Sequence, residues 1–386
     1  MKLAVVSHKR CWPAACSPSG YATDGGFPFQ IRALSELFDA TTLVAPCSVS
    51  SNESSEVALA GHNLSVRPLT TLGNGLRRRM RFPFWLLRNC PSIISEVWRA
   101  DAVHAPIPGD VGTIGILIAF LLRKPLLVRH CGNWFVQRST AERFWRWMME
   151  RLAGGRNVML ATGGASDPPS RRNPNVRWIF STTLTEQDLK KYVRRNDQSP
   201  RSAPRLIIIG RQERGKGTEL VIESLPLILA DFPGATLDVV GYGEALDEFQ
   251  KMARSMGVAD RVTFHGKVDH KRVMSLLQQA DLFCFPTSSE GFPKVVLEAL
   301  ACGLPVVTTP VSVLPQLIGT GCGVIIEKRT TAEISQAVKS CLSDVDRYRA
   351  MSGKAVETAR QYSLERWQDT VGGLLRVAWG PLKSSC

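Results

Sequence analysis

Two glutamates, Glu290 and Glu298, bracket the stretch "GFPKVVL" in this 386-residue chain. The apolar run Leu282–Phe285 reads as a buried strand that enters the polar loop "PTSSEG". Pro293 then falls where the fixed φ of proline opens a helix as its first residue. The first-turn N–H groups of Lys294, Val295 and Val296 form an anion site that needs no side chain. At about 1.5 Å of rise per residue, Glu298 stands on the order of 7–8 Å from that site, roughly the length of a ribose. A carboxylate accepts hydrogen bonds from neighbouring sugar hydroxyls, so two acids flanking a phosphate site have the spacing for ribose, diphosphate and hexose, a nucleotide-sugar. The plainer alternative makes Glu290 a loop carboxylate favoured by the helix dipole and Glu298 a solvated helix residue.

A second chemical segment is "LIIIGRQERGKGT" (206–218). Gly-x-x-x-x-Gly-Lys after a strand has the outline of a P-loop, but Gly217 stands where the strict pattern wants Ser or Thr to hold magnesium. The intervening Arg211, Gln212, Glu213 and Arg214 are bulky for a backbone cradle. The alternative takes side chains as the working parts. Arg211 and Lys216, at the carboxyl end of a strand in an open sheet, could clasp a diphosphate without a metal.

The elements that must position these groups follow a βα rhythm throughout. In the first half, strands are expected at Leu3–Val6, Thr41–Val44, Ala102–Ala105, Leu126–Arg129 and Val158–Ala161, with helices at Phe29–Phe38, Val111–Leu122 and Thr140–Leu152. In the second, strands are expected at Leu206–Ile209, Leu237–Val240, Val262–His265, Leu282–Phe285 and Val306–Thr308, with helices between them. Each half reads as its own doubly wound parallel sheet. The polar stretch "RRNDQSPRSAP" (194–204) reads as the linker, giving domains of 1–200 and 201–362. A last helix, about 363–380, has no strand left to cover and is assigned back to the first domain.

Charge is placed unevenly: residues 1–200 hold 26 Lys+Arg against 14 Asp+Glu, and the remainder 22 against 20. The excess gathers in "LRRRMRFPFWLLRN" (76–89), "ERFWRWMMERL" (142–152) and "RRNPNVR" (171–177), where arginines alternate with aromatic and apolar residues. That mixture suits an anionic membrane surface, with nucleic acid the competing partner and a solvated basic face the bland one. The run Val111–Leu122 is too short to span a bilayer, and "MKLAVVSHKR" reads as a first strand rather than a secretion signal. Ten cysteines stand singly, without zinc spacing, and read as reduced thiols of a cytosolic protein.

"EGFPKVVLE" followed by "ALACGLPVV" resembles the signature of the retaining glycosyltransferases of family 4, whose fold is GT-B: two Rossmann-like domains facing across a cleft. "GRQERGKGTELVIESL", "VVGYGEALDEF" and "VTFHGKV" match that family in order and spacing, so nearly the whole second half is covered. The resemblance implies that Arg211 and Lys216 neutralise the departing diphosphate. It places the N–H groups after Gly291, through Phe292, Lys294 and Val295, on the same phosphates. Glu290 would hold hydroxyls of the transferred sugar, Glu298 the ribose, and the loop Gly266–Val268 the base. "DGGFPFQIRALSEL" (24–37) resembles the family's glycine-rich loop, where Gly25 and Gly26 would let backbone approach the donor. No metal or cofactor is implied.

One segment departs from the pattern. In "PLLVRHCGNW" (125–134) Cys131 occupies the place of the family's catalytic histidine and His130 precedes it. A one-residue offset turns a strand side chain to the other face, so His130 reaches the site only if the strand has ended. His8, His62, His104, His265 and His270 show no partner pattern. The expectation is a metal-independent retaining hexosyltransferase, peripheral at the cytoplasmic face of the membrane. It would move a hexose from a nucleoside-diphosphate sugar to a lipid-linked or polysaccharide acceptor, and would not bind nucleic acid. A non-catalytic nucleotide-sugar-binding protein of the same fold, a P-loop kinase and a pyridoxal-phosphate phosphorylase of the same fold are the alternatives.

Overall fold

The computed structural model describes residues 1–48, 57–73, 76–137, 139–193 and 199–384, with backbone alone for 76–80. Two compact units emerge: Met1–Gly163, Asp167–Thr183 and Leu364–Cys386 form the first, Gly164–Ser166 and Leu184–Ser363 the second.

The first unit runs β1 (Lys2–Val6), β2 (Trp12–Pro13), β3 (Tyr21–Thr23), α1 (Phe27–Ser35), β4 (Ala40–Pro46), β5 (Val57–Ala58), β6 (Leu64–Leu69) and α2 (Leu76–Arg99). It continues through β7 (Ala102–Ile107), α3 (Asp110–Leu121), β8 (Leu126–His130), α4 (Thr140–Leu152), β9 (Asn157–Thr162) and β10 (Val176–Ile179). Its main sheet, in the order β10-β9-β8-β7-β1-β4-β6, is parallel throughout. Such a sheet is covered on both faces, so its strands read as nearly unbroken apolar runs. β8 is buried from Leu126 to His130, and this draws Arg129 and His130 into the interior.

In the second unit come α5 (Glu186–Tyr192), β11 (Arg205–Ile209), α6 (Thr218–Asp231), β12 (Thr236–Val240), α7 (Leu246–Ser255), β13 (Val262–Gly266), α8 (His270–Gln279), β14 (Leu282–Phe285) and α9 (Lys294–Ala301). They are followed by β15 (Val306–Thr308), α10 (Leu314–Ile318), β16 (Gly323–Ile325), α11 (Thr331–Leu342) and α12 (Val345–Ala359); α13 (Leu364–Trp379) then returns to the first unit. The second sheet, β13-β12-β11-β14-β15-β16, is also parallel. Strand alternation divides its core: Leu206 and Ile208 face one cluster, Ile207 and Ile209 the other.

The structure departs from the sequence expectations in several places. The changeover between units lies at Thr183 and Leu184, ahead of the polar stretch, because Leu184 and Leu189 pack into the second core. Of that stretch, 194–198 lie outside the described residues. The basic segment 76–89 is helical as part of α2 despite Pro83 and Pro91. Trp85, Ile93 and Val97 form its buried stripe, and both prolines lie on the exposed side, where displaced carbonyls meet water. The side chains of Leu76 to Met80, including Arg77, Arg78 and Arg79, lie outside the described residues. β6, β10, α5, α10 and β16, at three to seven residues each, are too short to stand out from the sequence. Pro293 caps α9 in extended conformation (φ −82°, ψ 92°) rather than opening it, so the helix starts at Lys294.

Glycine is required where the β12–α7 turn backs onto the β11 loop. Gly241 has φ +126°, and a Cβ there would collide with the Gly210 carbonyl oxygen. Gly241→Ala is therefore expected to destabilise the fold by about 1–3 kcal/mol. Gly353→Ala, inside α12 with nothing within 4 Å of the added methyl, should stabilise by up to about 1 kcal/mol. Urea denaturation of both variants checks the contrast.

Candidate active site

The second sheet reverses its direction of build between β11 and β14: strands are added outward from β11 to β13, then on the other side from β14 to β16. At such a switch point the loops leaving the two neighbouring strands part, and a crevice opens at their carboxyl ends. Here those loops are 210–217 and 286–293, which carry the residues singled out by their chemistry.

The first loop is built around a buried side chain. Gln212 is fully buried; its Nε2 donates to the carbonyls of Gly210 (3.0 Å) and Val240 (3.1 Å), and its Oε1 accepts from Thr218 Oγ1 (2.8 Å). This peg ties the loop to β12 and to the start of α6. Gly215 and Gly217 take φ +87° and +99°, and a Cβ on Gly217 would stand 2.7 Å from the Pro286 carbonyl oxygen. The loops are joined by Ser288, which donates N–H (2.8 Å) and Oγ–H (3.0 Å) to the Gly215 carbonyl. Arg329 donates to the carbonyls of Pro286 (2.8 Å) and Gly215 (3.3 Å).

Hydroxyls fix the second loop. Thr308 and Thr309 donate to the carbonyls of Phe285 (2.7 Å) and Thr287 (2.6 Å), and Ser312 donates to that of Gly291 (2.6 Å). No side chain caps α9, so its positive end is left to the crevice. The amide of Val296, expected on the anion site, instead donates to the Pro293 carbonyl (3.1 Å), which follows from proline standing at the cap.

These loops enclose a cavity of about 220 Å³ whose walls include Arg211, Lys216, Glu290, Phe292, Lys294 and Val295. Six residues expected to bind the donor thus line one cavity. Lys216 Nζ sits 2.5 Å from Glu290 Oε1 and 3.2 Å from the Ser289 carbonyl, with both side chains largely buried. Arg211 is exposed and pairs with Glu213 at 2.8 Å. The cavity is smaller than the roughly 300–1,000 Å³ of a whole small-molecule pocket, and suits a diphosphate with its substituents extending past the rim. Gly291 belongs to the same loop without lining the cavity.

Glu298 lies one helical turn in from the cavity and is buried rather than solvated. It accepts from His270 Nε2 (3.1 Å), and this hydrogen bond raises the His270 pKa above its ordinary value against the opposing effect of burial. A partner for His270 was not expected, since the two residues come from α8 and α9 and no sequence spacing links them. Val268 is half-buried against the apolar core beside α8, following Gly266 at φ +63°.

Gly25, Gly26 and His130 belong to the first unit. Gly25 takes φ +69°, and Gly26 precedes α1 as its cap, with no side chain capping that helix. His130 ends β8 and is 2% exposed, its ring set edge-on to Trp134 with centroids 5.3 Å apart. Burial, outweighing the adjacent Gly132 backbone, pushes its pKa down to about 4, so the imidazole is neutral near pH 7. Among the described residues its Nδ1 has no partner in hydrogen-bond geometry. Cys131 lies exposed just past the strand. Of the other histidines, His104 is held by the Leu127 carbonyl (2.9 Å) and His265 by Asp238 (2.6 Å).

The loop is not a nest for a nucleoside triphosphate. Thr218, the nearest hydroxyl to the magnesium position of a P-loop, is committed to Gln212, and the Gln212 side chain fills the loop interior. The roles of Gln212, Arg329, Ser312 and His270 are not visible in the sequence. For Gln212 the only sign was a polar residue among charges, and for the others there was none.

The family model described as glycosyl transferases group 1 matches residues 190–358. A D-inositol 3-phosphate glycosyltransferase of Segniliparus rotundus is 31% identical, covering 81% of this chain and 74% of that protein. Glycogen synthase of Mycobacterium tuberculosis is 36% identical over 38% of this chain, and the match spans only 36% of that enzyme's length. Among solved structures, Anabaena Alr3699/HepE in complex with UDP superposes with a TM-score of 0.70 at 16% identity, covering 98% of this chain and all of the other. The fold is GT-B.

The raised His270 pKa gives a pH dependence. The pair with Glu298 contributes its stability in full below about pH 6.5, the unfolded value, and loses it as pH rises through the higher folded value. Titration of the His270 ring by NMR is expected to give a midpoint above 6.5 that falls toward 6.5 in Glu298→Gln.

Proposed function

Since the chain belongs to the glycosyl transferases group 1 family, we propose that it moves a hexose from a nucleoside-diphosphate sugar to a lipid-linked or polysaccharide acceptor. In this reading transfer is independent of metal and retains the anomeric configuration. The observation that carries it is the convergence of Lys216, Glu290, Arg211 and the uncapped end of α9 on one cavity. UDP in the Anabaena neighbour is in keeping with a nucleoside diphosphate here.

The difficult step is departure of the diphosphate. As the bond between the anomeric carbon and the phosphate oxygen breaks, its electron pair stays on that oxygen. Arg211, Lys216 and the helix end meet the growing charge from fixed positions, which lowers the barrier more than flexible groups in water could. The acceptor hydroxyl forms the new bond on the face the diphosphate leaves, and its proton goes to the departing oxygen. Glu290 holds Lys216 in place and offers its remaining oxygen to sugar hydroxyls. Glu298, oriented by His270, receives the ribose hydroxyls; the backbone near Val268 meets the base. Gly25 and Gly26 allow close backbone approach to the donor, while His130, still within β8 and 2% exposed, is left out of the chemistry.

A membrane-facing role is supported by the first unit's surface. Phe84, Leu87 and Trp98 of α2 and Leu117, Phe120 and Leu121 of α3 are all exposed, at 51–78%, on helices that pack together. Large apolar groups on a basic unit suit the headgroup region of an anionic bilayer at the cytoplasmic face. Among the described residues, no helix is long and apolar enough to cross a membrane.

Release of nucleoside diphosphate from a panel of UDP-, GDP- and ADP-sugars tests the reading. Lys216→Ala is expected to lower turnover roughly 10²–10³-fold and to weaken nucleoside-diphosphate binding. Glu290→Gln should lose comparable turnover yet bind the diphosphate as well or better, because Lys216 is freed. Chelator should leave the rate unchanged. Magnesium-dependent ATP hydrolysis, or turnover indifferent to both substitutions, would overturn it.

A further inference from the structure

A second cavity, of about 500 Å³, lies within the first unit between α4 and the segment that follows β9. Its walls carry four arginines, Arg143, Arg146, Arg171 and Arg172, against two carboxylates, Glu150 and Asp167. Glu150 is shared between Arg146 (3.2 Å) and Arg172 (3.8 Å), and Asp167 pairs with Arg171 (3.2 Å). The guanidinium of Arg143 makes no ion pair among the described residues. The acids therefore leave about two positive charges uncompensated. Arginine presents planar, bidentate donors that match phosphate oxygens.

The framework of the walls is fixed, and from it the side chains of Arg171 and Arg172 extend 88% and 82% exposed. Trp134, buried, donates Nε1–H to the Pro169 carbonyl (2.7 Å), and Arg146 stacks 5.2 Å over the same indole. Trp178 donates to the Asp167 carbonyl (2.8 Å), and Asn173 donates to the carbonyls of Glu150 (2.9 Å) and Ala153 (3.0 Å). Phe135 and Trp147 stand exposed at the cavity wall, and Phe144 packs beside Trp147 at 5.8 Å. A cationic hollow on a fixed framework, with an apolar border, fits a ligand that is charged at one end and apolar or sugar-like next to it.

We propose that this cavity binds a phosphate-bearing group of the acceptor. Binding needs only the arginine cavity; the assignment to the acceptor rests on the transferase reading above. The phosphate can come from a membrane lipid headgroup or from a soluble phosphorylated molecule, and the two sources share this chemistry.

The test compares Arg143→Gln/Arg172→Gln with a charge-matched control in the second unit, Arg254→Gln/Arg261→Gln; all four positions are exposed, so folding is preserved. One arm titrates glycerol 1-phosphate by tryptophan fluorescence; the other measures flotation with phosphatidylcholine vesicles containing phosphatidic acid. The first pair is expected to weaken binding roughly tenfold or more in at least one arm, with the control changing less than twofold and UDP-sugar affinity unaffected. Loss in the vesicle arm alone assigns the phosphate to a lipid; loss with glycerol phosphate assigns a soluble source. Equal losses in both double variants, or none in either arm, overturn the proposal. Failure of wild type to bind any nucleotide-sugar would instead refute the transferase reading while leaving this binding result standing.

Discussion

Everything at the candidate site depends on one constraint of parallel sheets: neighbouring strands end at the same edge, so their outgoing loops must share it. β11 and β14 are register partners through Leu206 with Leu282 and Ile207 with Phe283. Because the sheet grows away from this pair on both sides, no crossover helix covers the space beyond them. A lysine from one loop and a glutamate from the other, 74 residues apart in sequence, can then meet at 2.5 Å. Neither loop could hold that geometry by its own conformational preferences, since ordering each residue costs about 1–2 kcal/mol. The buried Gln212, the Ser288 bridge to Gly215 and the Arg329 clasp supply the compensating hydrogen bonds.

Much of this was legible in the sequence, for a physical reason. Strands buried on both faces leave continuous apolar runs, and glycines at positive φ mark the turns between them, so β11, β12, β14 and the loop 210–217 could be placed from residue types. Lys216, Glu290 and the start of α9 follow from position relative to those strands. What stayed hidden was whatever depends on contacts between distant segments. His270 looked unattached because its partner is 28 residues away on another helix, and Arg329 because it donates to main-chain carbonyls, which carry no sequence signature. The basic stretch of α2 read as a patch and not a helix because two prolines mask its period, although they stand on the exposed face where they do little harm.

The two units use charge differently. In the second, cations and acids nearly balance, 22 against 20 over residues 201–386, and several cations are individually held: Lys216 by Glu290, Arg205 by Asp238, Arg214 by Glu248. The first carries its arginines in excess over acids, beside exposed aromatic rings and aliphatic side chains. Exposed ion pairs contribute little to stability, a median of about 0–1 kcal/mol, so this crowding is poorly explained as reinforcement of the fold. It is better explained as a surface whose charge is left for something outside the chain.

The return of α13 has a consequence for biogenesis. Trp367, Val371 and Leu375 are buried with Ile31 and Leu34 of α1, and the amino terminus itself is tied to the Leu382 carbonyl at 3.0 Å. The ribosome makes the first unit's sheet before the second unit, yet the helix that covers one of its faces follows the whole of the second unit in the chain. Until then an apolar face stays open, while the second unit, complete by Ser363, can already condense. Vectorial synthesis therefore leaves the first unit incomplete until the second has been made, and its open apolar face needs protection from aggregation during translation.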